Sequence, residues 1–367
     1  MALPMAHPED IYGQMMMQVG DEAGLVAFLR KREGPVFVRG GGTRRIVPES
    51  GNALTTEGLS GVRLYEPGSL TLVAGAGTPL AEVEAVLAGA RQRLAFEVPD
   101  MRALLGRQGV STVGGVVASG ASGPRRVQVG ACRDHVLGLR FVNGAGVLVK
   151  AGGRVMKNVT GLDLTKLLVG SQGRLGVITE VAFRVQAVPE AEATLVGHRP
   201  LAAGLAALRA ALGSPMDVSG AAYRGGQALL RLEGMAGSVG YRAGELRARL
   251  GGDWDLVEGV VSAAIWGAVR DVTDFAGREG TVWRASVKPS DAAAVVAVVE
   301  GEAMLDWGGG LIWLLTGPEV DMHAVVAGRG HATRVRGDGA VFQPEAAGVA
   351  ALTAGIRAKF DPKGIFG

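Results

Sequence analysis

The chain has only one cysteine, Cys132, among 367 residues. A single thiol excludes a disulfide within the chain and an iron–sulfur cluster held by cysteines of this chain alone, which favours a reducing compartment. No uninterrupted apolar run has the length that a membrane span needs. Residues 1–20 carry acids early and do not resemble a signal peptide. We therefore expect a cytoplasmic protein without a membrane span of its own.

An excess of one charge sign is also missing, because 38 lysines and arginines face 35 aspartates and glutamates. A net charge this small argues against a polybasic arm, so nucleic-acid binding is not expected. The sequence has no G-x-S-x-G elbow, no H-E-x-x-H pair and no G-x-x-x-x-G-K-[ST] loop, and no G-x-G-x-x-G opens a helix. These absences give little support to serine hydrolases, zinc peptidases, P-loop enzymes and Rossmann dinucleotide sites.

Glycine, in contrast, is abundant, with 59 residues. Three glycine-rich stretches each adjoin a predicted strand: RGGGTRR at 39–45, GRQGVSTVGGVVASGASG at 106–123 and GSQGRLGVIT at 170–179. Consecutive glycines can direct backbone N–H groups into one concavity that suits an anionic oxygen. Thr112 is a candidate N-cap for a short helix whose free N–H groups would meet a pyrophosphate. Each stretch alone is as well explained by a turn, but three together favour one extended ligand.

The remaining pattern predicts an α+β fold. An amphipathic helix follows Asp21, and hairpins are expected at 62–74 and 137–150. Prolines and glutamates interrupt the apolar pattern at 186–200, which indicates a domain boundary near residue 188. Beyond it, strands and helices alternate in an order that predicts an antiparallel sheet with helices on one face.

The RGGGT turn, the STVGG stretch about seventy residues later and GLDLTKLLVGSQGRLGVITEV are similar to the FAD-binding domain of the vanillyl-alcohol oxidase family. Within it they most resemble the FAD-binding subunit of glycolate oxidase. The resemblance implies an FAD-binding domain at 1–187, made of two α+β subdomains divided near 100–110. It also implies an antiparallel-sheet α/β cap domain at 188–335 and a C-terminal segment at 336–367 that returns to the FAD domain.

The resemblance also implies which residues bind FAD. Thr43 stands where covalent family members carry histidine, and Cys132 does not lie in the matching cysteine motif, so FAD is expected to bind non-covalently. The predicted cofactor-binding residues are Arg39, Gly40, Gly41, Gly42, Thr43, Arg44, Ser111, Thr112, Gly114, Gly115, Ala118, Ser119, Gly123, Gly173, Gly176, Val177 and Ile178.

Catalytic residues are not assigned. Hydroxy-acid relatives carry a histidine just ahead of Gly-Asp-Gly-Asn, whereas His331 here stands too far from Gly337 and the asparagine is absent. His323 and His331 are eight residues apart, which is a poor spacing for a metal pair, so no metal is expected. Arg284 and Arg224 are candidates to meet a substrate carboxylate or another subunit, since the arginine fork suits carboxylate.

Three functions stay open. The first is an FAD-binding subunit of a glycolate oxidase, a D-2-hydroxy-acid dehydrogenase complex that oxidises glycolate to glyoxylate and passes electrons on. The resemblance then implies a catalytic flavin subunit and an iron–sulfur subunit as partners, through which the chain would reach the inner membrane. The second is a self-sufficient FAD oxidoreductase for a small 2-hydroxy acid or alcohol, and the third is a non-catalytic scaffold subunit.

Overall fold

A computed structural model describes residues 16–153 and 162–367, so most of the stretch considered for a signal peptide lies outside the described residues. The described chain begins with a small parallel sheet. Its elements are β1 (Met17–Gln18), α1 (Glu22–Lys31), β2 (Val36–Arg39) and β3 (Asn52–Thr55), with strand order β1-β3-β2. The predicted amphipathic helix is α1, where the Asp21 side chain accepts a hydrogen bond from the Gly24 N–H at 2.7 Å. Leu25 and Leu29 of α1 are fully buried against this sheet.

A five-stranded antiparallel sheet follows. Its elements are β4 (Val62–Glu66), β5 (Thr71–Gly75), α2 (Leu80–Ala88), β6 (Gln92–Arg93), α3 (Arg102–Leu105), α4 (Val113–Ser119), α5 (Arg126–Val129), α6 (Cys132–His135), β7 (Val136–Val142), β8 (Leu148–Gly152), α7 (Leu164–Leu168) and β9 (Val177–Arg184). The strand order is β4-β5-β9-β7-β8. Both predicted hairpins are present, as β4–β5 and β7–β8.

An eight-stranded antiparallel sheet, here called the cap sheet, makes up most of the rest. The strand β10 (Gln186–Ala187) first pairs with β6. The elements that follow are β11 (Ala191–His198), α8 (Leu201–Leu212), β12 (Val218–Arg224), β13 (Gln227–Gly234), α9 (Ala236–Leu250), β14 (Asp255–Glu258), α10 (Gly259–Asp271), β15 (Thr281–Val287), α11 (Ala292–Ala297), β16 (Gly301–Asp306), β17 (Leu311–Thr316), α12 (Met322–Val325), β18 (Gly330–Arg336) and α13 (Ala347–Phe360). The strand order is β14-β11-β13-β12-β16-β17-β15-β18.

The two faces of the cap sheet carry separate apolar cores, because successive side chains of a strand point to opposite faces. Residues of α8, α9, α11 and α12 pack on one face. Trp266 and Val269 of α10 pack on the other, together with Leu104 of α3. The prediction that helices cover only one face is therefore wrong for α10. This second face is the one that contacts residues of the preceding part of the chain, including Leu104 and Met101.

A buried charge network joins the cap sheet to the preceding residues. Arg231 of β13 donates through Nη1 and Nη2 to the two carboxylate oxygens of Glu97, each at 2.9 Å. Glu233 accepts from Arg125 Nε and from Arg93 Nη1, both at 2.8 Å. Because arginines and glutamates from both sides pair with each other, the cap sheet is held in one orientation over the glycine-rich loops.

The C-terminal segment returns to the first sheet. Phe366 forms a parallel bridge with Val36, and the Val36 N–H donates to the Ile365 carbonyl at 2.8 Å. Ile365 and Phe366 are buried beside Leu25 and Leu29. The last turn is thus packed against the first sheet.

The domain boundaries inferred from sequence stay a prediction. In the structure, the three-stranded sheet ends at Thr55 and the five-stranded sheet starts at Val62, whereas the predicted division near 100–110 falls at α3. The change to the cap sheet lies between β10 and β11, next to residue 188. Across the described residues, no helix is long and apolar enough to cross a membrane.

Candidate functional site

The RGGGT turn leaves β2 and forms one wall of a cleft. Among the described residues, no protein atom accepts a hydrogen bond from the backbone N–H groups of 41–44. Gly42 has a φ of +70°, a left-handed conformation that favours glycine. The turn therefore presents free backbone donors, as the nest prediction requires, and suits an anionic oxygen.

Position 41 requires glycine for a different reason than position 42. A Cβ added to Gly41 would lie 1.6 Å from the Val110 carbonyl oxygen. The RGGGT turn and the second glycine-rich stretch thus touch backbone to backbone. Glycine is required there by packing within the protein.

The second stretch forms α4 with Thr112 as its N-cap, as predicted. Its N–H groups are not free, however. Val113 N–H donates to the Thr78 carbonyl at 3.0 Å and Gly114 N–H to the Ala76 carbonyl at 2.7 Å, because the 75–78 loop lies over the start of the helix. The prediction that these N–H groups meet a pyrophosphate is therefore wrong for the first two positions. Instead, Gly115 of α4 lines the cleft with its backbone. A Cβ added to Gly115 would have only Thr112 Oγ1 nearby, at 3.3 Å.

The third stretch closes the cleft. Gln172 N–H donates to the Ala118 carbonyl of α4 at 2.8 Å, which ties the third loop to the second. Gln172 and Gly173 have φ values of +56° and +77°. This paired left-handed turn brings the loop against α4 before β9 begins.

The three stretches meet around one cleft, and most of the predicted cofactor-binding residues line it. Those residues are Arg39, Gly40, Gly41, Gly42, Thr43, Arg44, Thr112, Gly114, Gly115, Ala118, Ser119, Gly173, Gly176 and Ile178. The structure does not bring the side chain of Val177 there, because it is buried in the core with Ile365. Gly123 lies at the charge network, where an added Cβ would be 2.8 Å from Glu97 Cβ. Ser111 does not line the cleft but contacts a residue that does, since its Oγ accepts a hydrogen bond from Arg44 Nη1 at 2.6 Å.

Sequence reasoning missed five further lining residues: Val38, Arg45, Val47, Thr56 and Gln172. Arg45 could have been found, since it completes the RGGGTRR motif. Gln172 lies between Gly170 and Gly173 in the third stretch. Its positive φ marks it as part of the turn, and a sequence pattern does not reveal that angle.

Arg44 lies where this cleft opens into a second cavity. Its Nη2 donates to the Pro99 carbonyl at 2.5 Å, while its buried Nε has no partner among the described residues. Burial lowers the pKa of Arg44 to about 10, against a smaller opposing effect of Asp100. A buried guanidinium with an unused donor suits an anionic ligand.

The second cavity has a volume of about 460 Å³ and lies between the glycine-rich loops and the cap sheet. Arg44, Ser119 and Gln172 line both cavities, so the two cavities are adjacent. On the cap side, Arg284 of β15 and His331 of β18 line the wall. Alternation along the paired strands β15 and β18 places these side chains on one face of the sheet.

Cationic side chains dominate this cavity. Arg44, Arg126, Arg133 and Arg284 line it, and among its described lining residues there is no aspartate or glutamate. The guanidinium carbons of Arg126 and Arg284 lie 4.5 Å and 5.2 Å from the ring centre of Trp307. Burial, together with a smaller effect of the Arg126 charge, lowers the pKa of Arg284 to about 10.

Other candidates are placed elsewhere. Arg224 is held by Asp274, to which its Nε donates at 2.6 Å, so its fork is not free for a substrate. His323 is buried against Trp283 in an edge-on contact at 5.0 Å between ring centres. Within the described residues there is no cluster of His, Cys, Asp and Glu that could hold a metal.

The thiol of Cys132 is buried, and burial raises its pKa to about 12. It lines neither of the two cavities. A buried thiol with a raised pKa is unreactive, because the thiolate is the nucleophilic form.

Residues 18–152 match the family model described as an FAD binding domain. Over 337 residues, the chain is 35% identical to glycolate oxidase subunit GlcE of Escherichia coli, covering 90% of this chain and 91% of that protein. The chain belongs to the glycolate oxidase subunit GlcE family. This family is one of FAD-dependent oxidoreductases, so the predicted recognition, enzyme class and cofactor are confirmed.

Other relatives of this GlcE-family chain match over shorter spans. It is 34% identical to D-lactate dehydrogenase of Archaeoglobus fulgidus over 44% of this chain and 35% of that protein. It is 40% identical to glycolate oxidase subunit GlcD of Bacillus subtilis over 24% of this chain and 18% of that protein. A solved structure of alkyldihydroxyacetonephosphate synthase superposes with a TM-score of 0.68 at 15% identity, covering 96% of this chain and 76% of that one. This likeness confirms the predicted fold class.

The residues present fit FAD. A pyrophosphate suits the free N–H groups of the RGGGT turn beside Arg44. An elongated cofactor suits two adjacent cavities that share part of their wall. Among the glycines that line the cleft, Gly40 and Gly41 have the closest neighbours, since an added Cβ would lie 2.2 Å from Thr112 Oγ1 and 1.6 Å from the Val110 carbonyl oxygen.

Proposed function

We propose that this chain is the FAD-binding subunit of a complex of the glycolate oxidase type, in which it binds FAD non-covalently and takes part in oxidising a small 2-hydroxy acid such as glycolate. The observation that carries the proposal is that the glycine-lined cleft adjoins a cavity whose described lining residues include four arginines and no acid. The proposed FAD-binding residues are those predicted from sequence that line the cleft, together with Gln172 and Arg45.

Bound FAD would supply the acceptor for a hydride from the α-carbon of the acid. The protein's own residues would hold the substrate and exclude water. Guanidinium groups in the second cavity attract a carboxylate, while Trp307 and Trp313 supply apolar walls. Burial lowers the pKa of His331, with a further contribution from Arg284, so its imidazole is neutral at pH 7 and can accept a hydroxyl proton.

The name of the Escherichia coli relative describes it as a subunit, which supports an assembly for this chain as well. We expect its partners to be a catalytic flavin subunit and an iron–sulfur subunit that receives the electrons. The absence of cysteine apart from buried Cys132 supports placing an electron-accepting cluster in a partner.

The test is the visible spectrum of the purified, FAD-loaded chain before and after anaerobic addition of glycolate or D-lactate. We expect a yellow protein whose flavin bands bleach. Protein that cannot be loaded with FAD would contradict the cofactor assignment and leave the scaffold function.

A second candidate function is an accessory flavin subunit that relays electrons without oxidising substrate itself. The sequence around His331 favours it, because the histidine is not followed by Gly-Asp-Gly-Asn. Yellow protein that stays unbleached in the same experiment, but becomes reduced once partner subunits and glycolate are added, would select this function.

A further inference from the structure

Arg126 and Arg284 approach each other from opposite sides of the junction between the glycine-rich loops and the cap sheet. Arg126 begins α5, and Arg284 lies in the middle of β15. Both guanidiniums lie over the ring of Trp307, which is in the turn between β16 and β17 of the cap sheet. The Trp307 indole N–H donates to the Gly123 carbonyl at 3.2 Å, so this ring is fixed to the loops as well.

Neither arginine has a carboxylate partner. Among the described residues, neither forms an ion pair, whereas Arg125 next in sequence pairs with both Glu97 and Glu233. The acid that acts on Arg284 most directly is Asp306, which is buried and accepts a hydrogen bond from the Trp307 N–H at 2.7 Å. Burial raises the pKa of Asp306 to about 7, so near neutral pH it is only a partial counter-charge.

Two half-buried guanidiniums that face one cavity without an anion repel each other, and this costs free energy unless a ligand compensates. No aspartate or glutamate is among the described lining residues, and Asp306 and Asp134 act on the two arginines only from outside the cavity wall, so an anionic ligand in the cavity would add compensation. The cavity has a volume of about 460 Å³, which is enough for a small carboxylic acid.

We propose that Arg126 and Arg284 together bind one carboxylate group of a small 2-hydroxy or 2-oxo acid, so that the substrate itself bridges the FAD-binding loops and the cap sheet. This inference rests on the proposed function and assigns Arg126 a role in substrate binding. Trp307 positions both guanidiniums through cation–π contacts, so that both can reach the same ligand.

The experiment measures binding rather than turnover. The FAD-loaded chain is titrated calorimetrically with oxalate, a redox-inert acid, and with glycolamide, a neutral analogue of glycolate. We expect oxalate to bind and glycolamide to bind far more weakly. The variants Arg126→Met and Arg284→Met should each weaken oxalate binding about 10- to 100-fold, the range for hydrogen bonds to charged groups.

The double variant separates a shared carboxylate from two independent sites. If both arginines hold the same group, the double variant loses less than the product of the two single losses. Arg284→Lys keeps the charge and should retain part of the affinity, which guards against a folding defect. The matched control is Arg249→Met, an exposed arginine on α9, and it should bind oxalate like the unaltered chain.

Oxalate binding that is unchanged in both single variants would overturn the proposal. Loss of FAD in these variants with unchanged oxalate affinity would also overturn it, because the arginines would then serve the cofactor. Failure of the proposed function has a different signature. If the unaltered protein binds oxalate through both arginines but is not bleached by glycolate or D-lactate, the carboxylate site stands while oxidation by this chain falls.

Discussion

At the scale of single residues, Gly41 and Gly115 lack a side chain for different reasons. A Cβ at position 41 would collide with the Val110 backbone, so a substitution there disturbs the protein before any ligand is considered. At position 115 the added atom would meet only the oxygen of Thr112, and the space beyond belongs to the cleft. Of these two positions, only 115 can be substituted to test cofactor binding without disturbing the fold.

We expect Gly115→Leu to abolish FAD retention while leaving the fold intact, because leucine favours the helix and fills the cleft. The measurement is the flavin-to-protein ratio after purification and reconstitution, with circular dichroism to follow the fold. Gly240→Leu is the matched control, since Gly240 is an exposed glycine within α9 with nothing near its Cβ position. A full flavin complement in Gly115→Leu would contradict the assigned site.

At the scale of elements, the sequence predicts those helices and strands whose ends are set by neighbouring residues. Asp21 caps α1, and the turn residues at 66–68 join β4 to β5, so both elements were found from sequence. The strand β14 and helix α10 were missed, although Trp266 of α10 is among the largest buried side chains. Their positions depend on contacts with β11, and no local motif marks them.

The candidate site likewise has one part that the sequence predicts and one part that it does not. The glycine turn at 39–45 is readable because its chemistry lies in adjacent residues. The wall formed by Arg284 and His331 is not, because alternation assigns both to one face of a strand but does not say which face meets the cavity. Packing of α10 on the same face decides that.

The segment after α13 shows how one element stabilises a distant one. Ile365 is fully buried, whereas Ile356 of α13 is 39% exposed. We expect Ile365→Ala to lower the free energy of unfolding by about 2–5 kcal/mol, the usual cost of removing a buried isoleucine side chain. Ile356→Ala, as the matched control, should change it much less. Urea unfolding of both variants would measure the difference, and equal losses would show that the segment is not part of the core.

At the scale of the whole molecule, the charge network of Glu97, Glu233 and their arginines fixes the cap sheet over the cofactor cleft. Hydrogen-bonded partners are 134 residues apart for Arg231 and Glu97, so no local pattern could reveal them. Buried charge pairs depend on every member, because removing one leaves an uncompensated charge in a site that water cannot reach. Orientation of the two halves is therefore sensitive to a few side chains.

We expect Glu97→Gln to destabilise the protein by about 3–5 kcal/mol at neutral pH. The arginine charges hold the pKa of Glu97 and Glu233 below the ordinary glutamate value, despite burial. Their stabilisation is therefore complete above the unfolded-state pKa and is lost as pH falls through the lowered folded-state values. Denaturant midpoints between neutral and acidic pH should fall less steeply for Glu97→Gln than for the unaltered chain.

The control for this comparison is Glu302→Gln, which removes an exposed ion pair with Arg278. Exposed pairs contribute little, so this variant should follow the unaltered chain at every pH. Identical midpoints for both glutamate variants would contradict a role for the network in holding the cap sheet.

The bridge between Phe366 and Val36 also bears on how the protein is made. Lys363 bonds the Leu29 carbonyl across 334 positions of sequence, and every strand of the cap sheet lies between them. A ribosome releases the chain from its N-terminal end, so the strand leading into the glycine turn emerges long before the residues that close its core. The turn gains its final support only after residue 366 has been synthesised, so we expect cofactor loading to follow translation rather than accompany it.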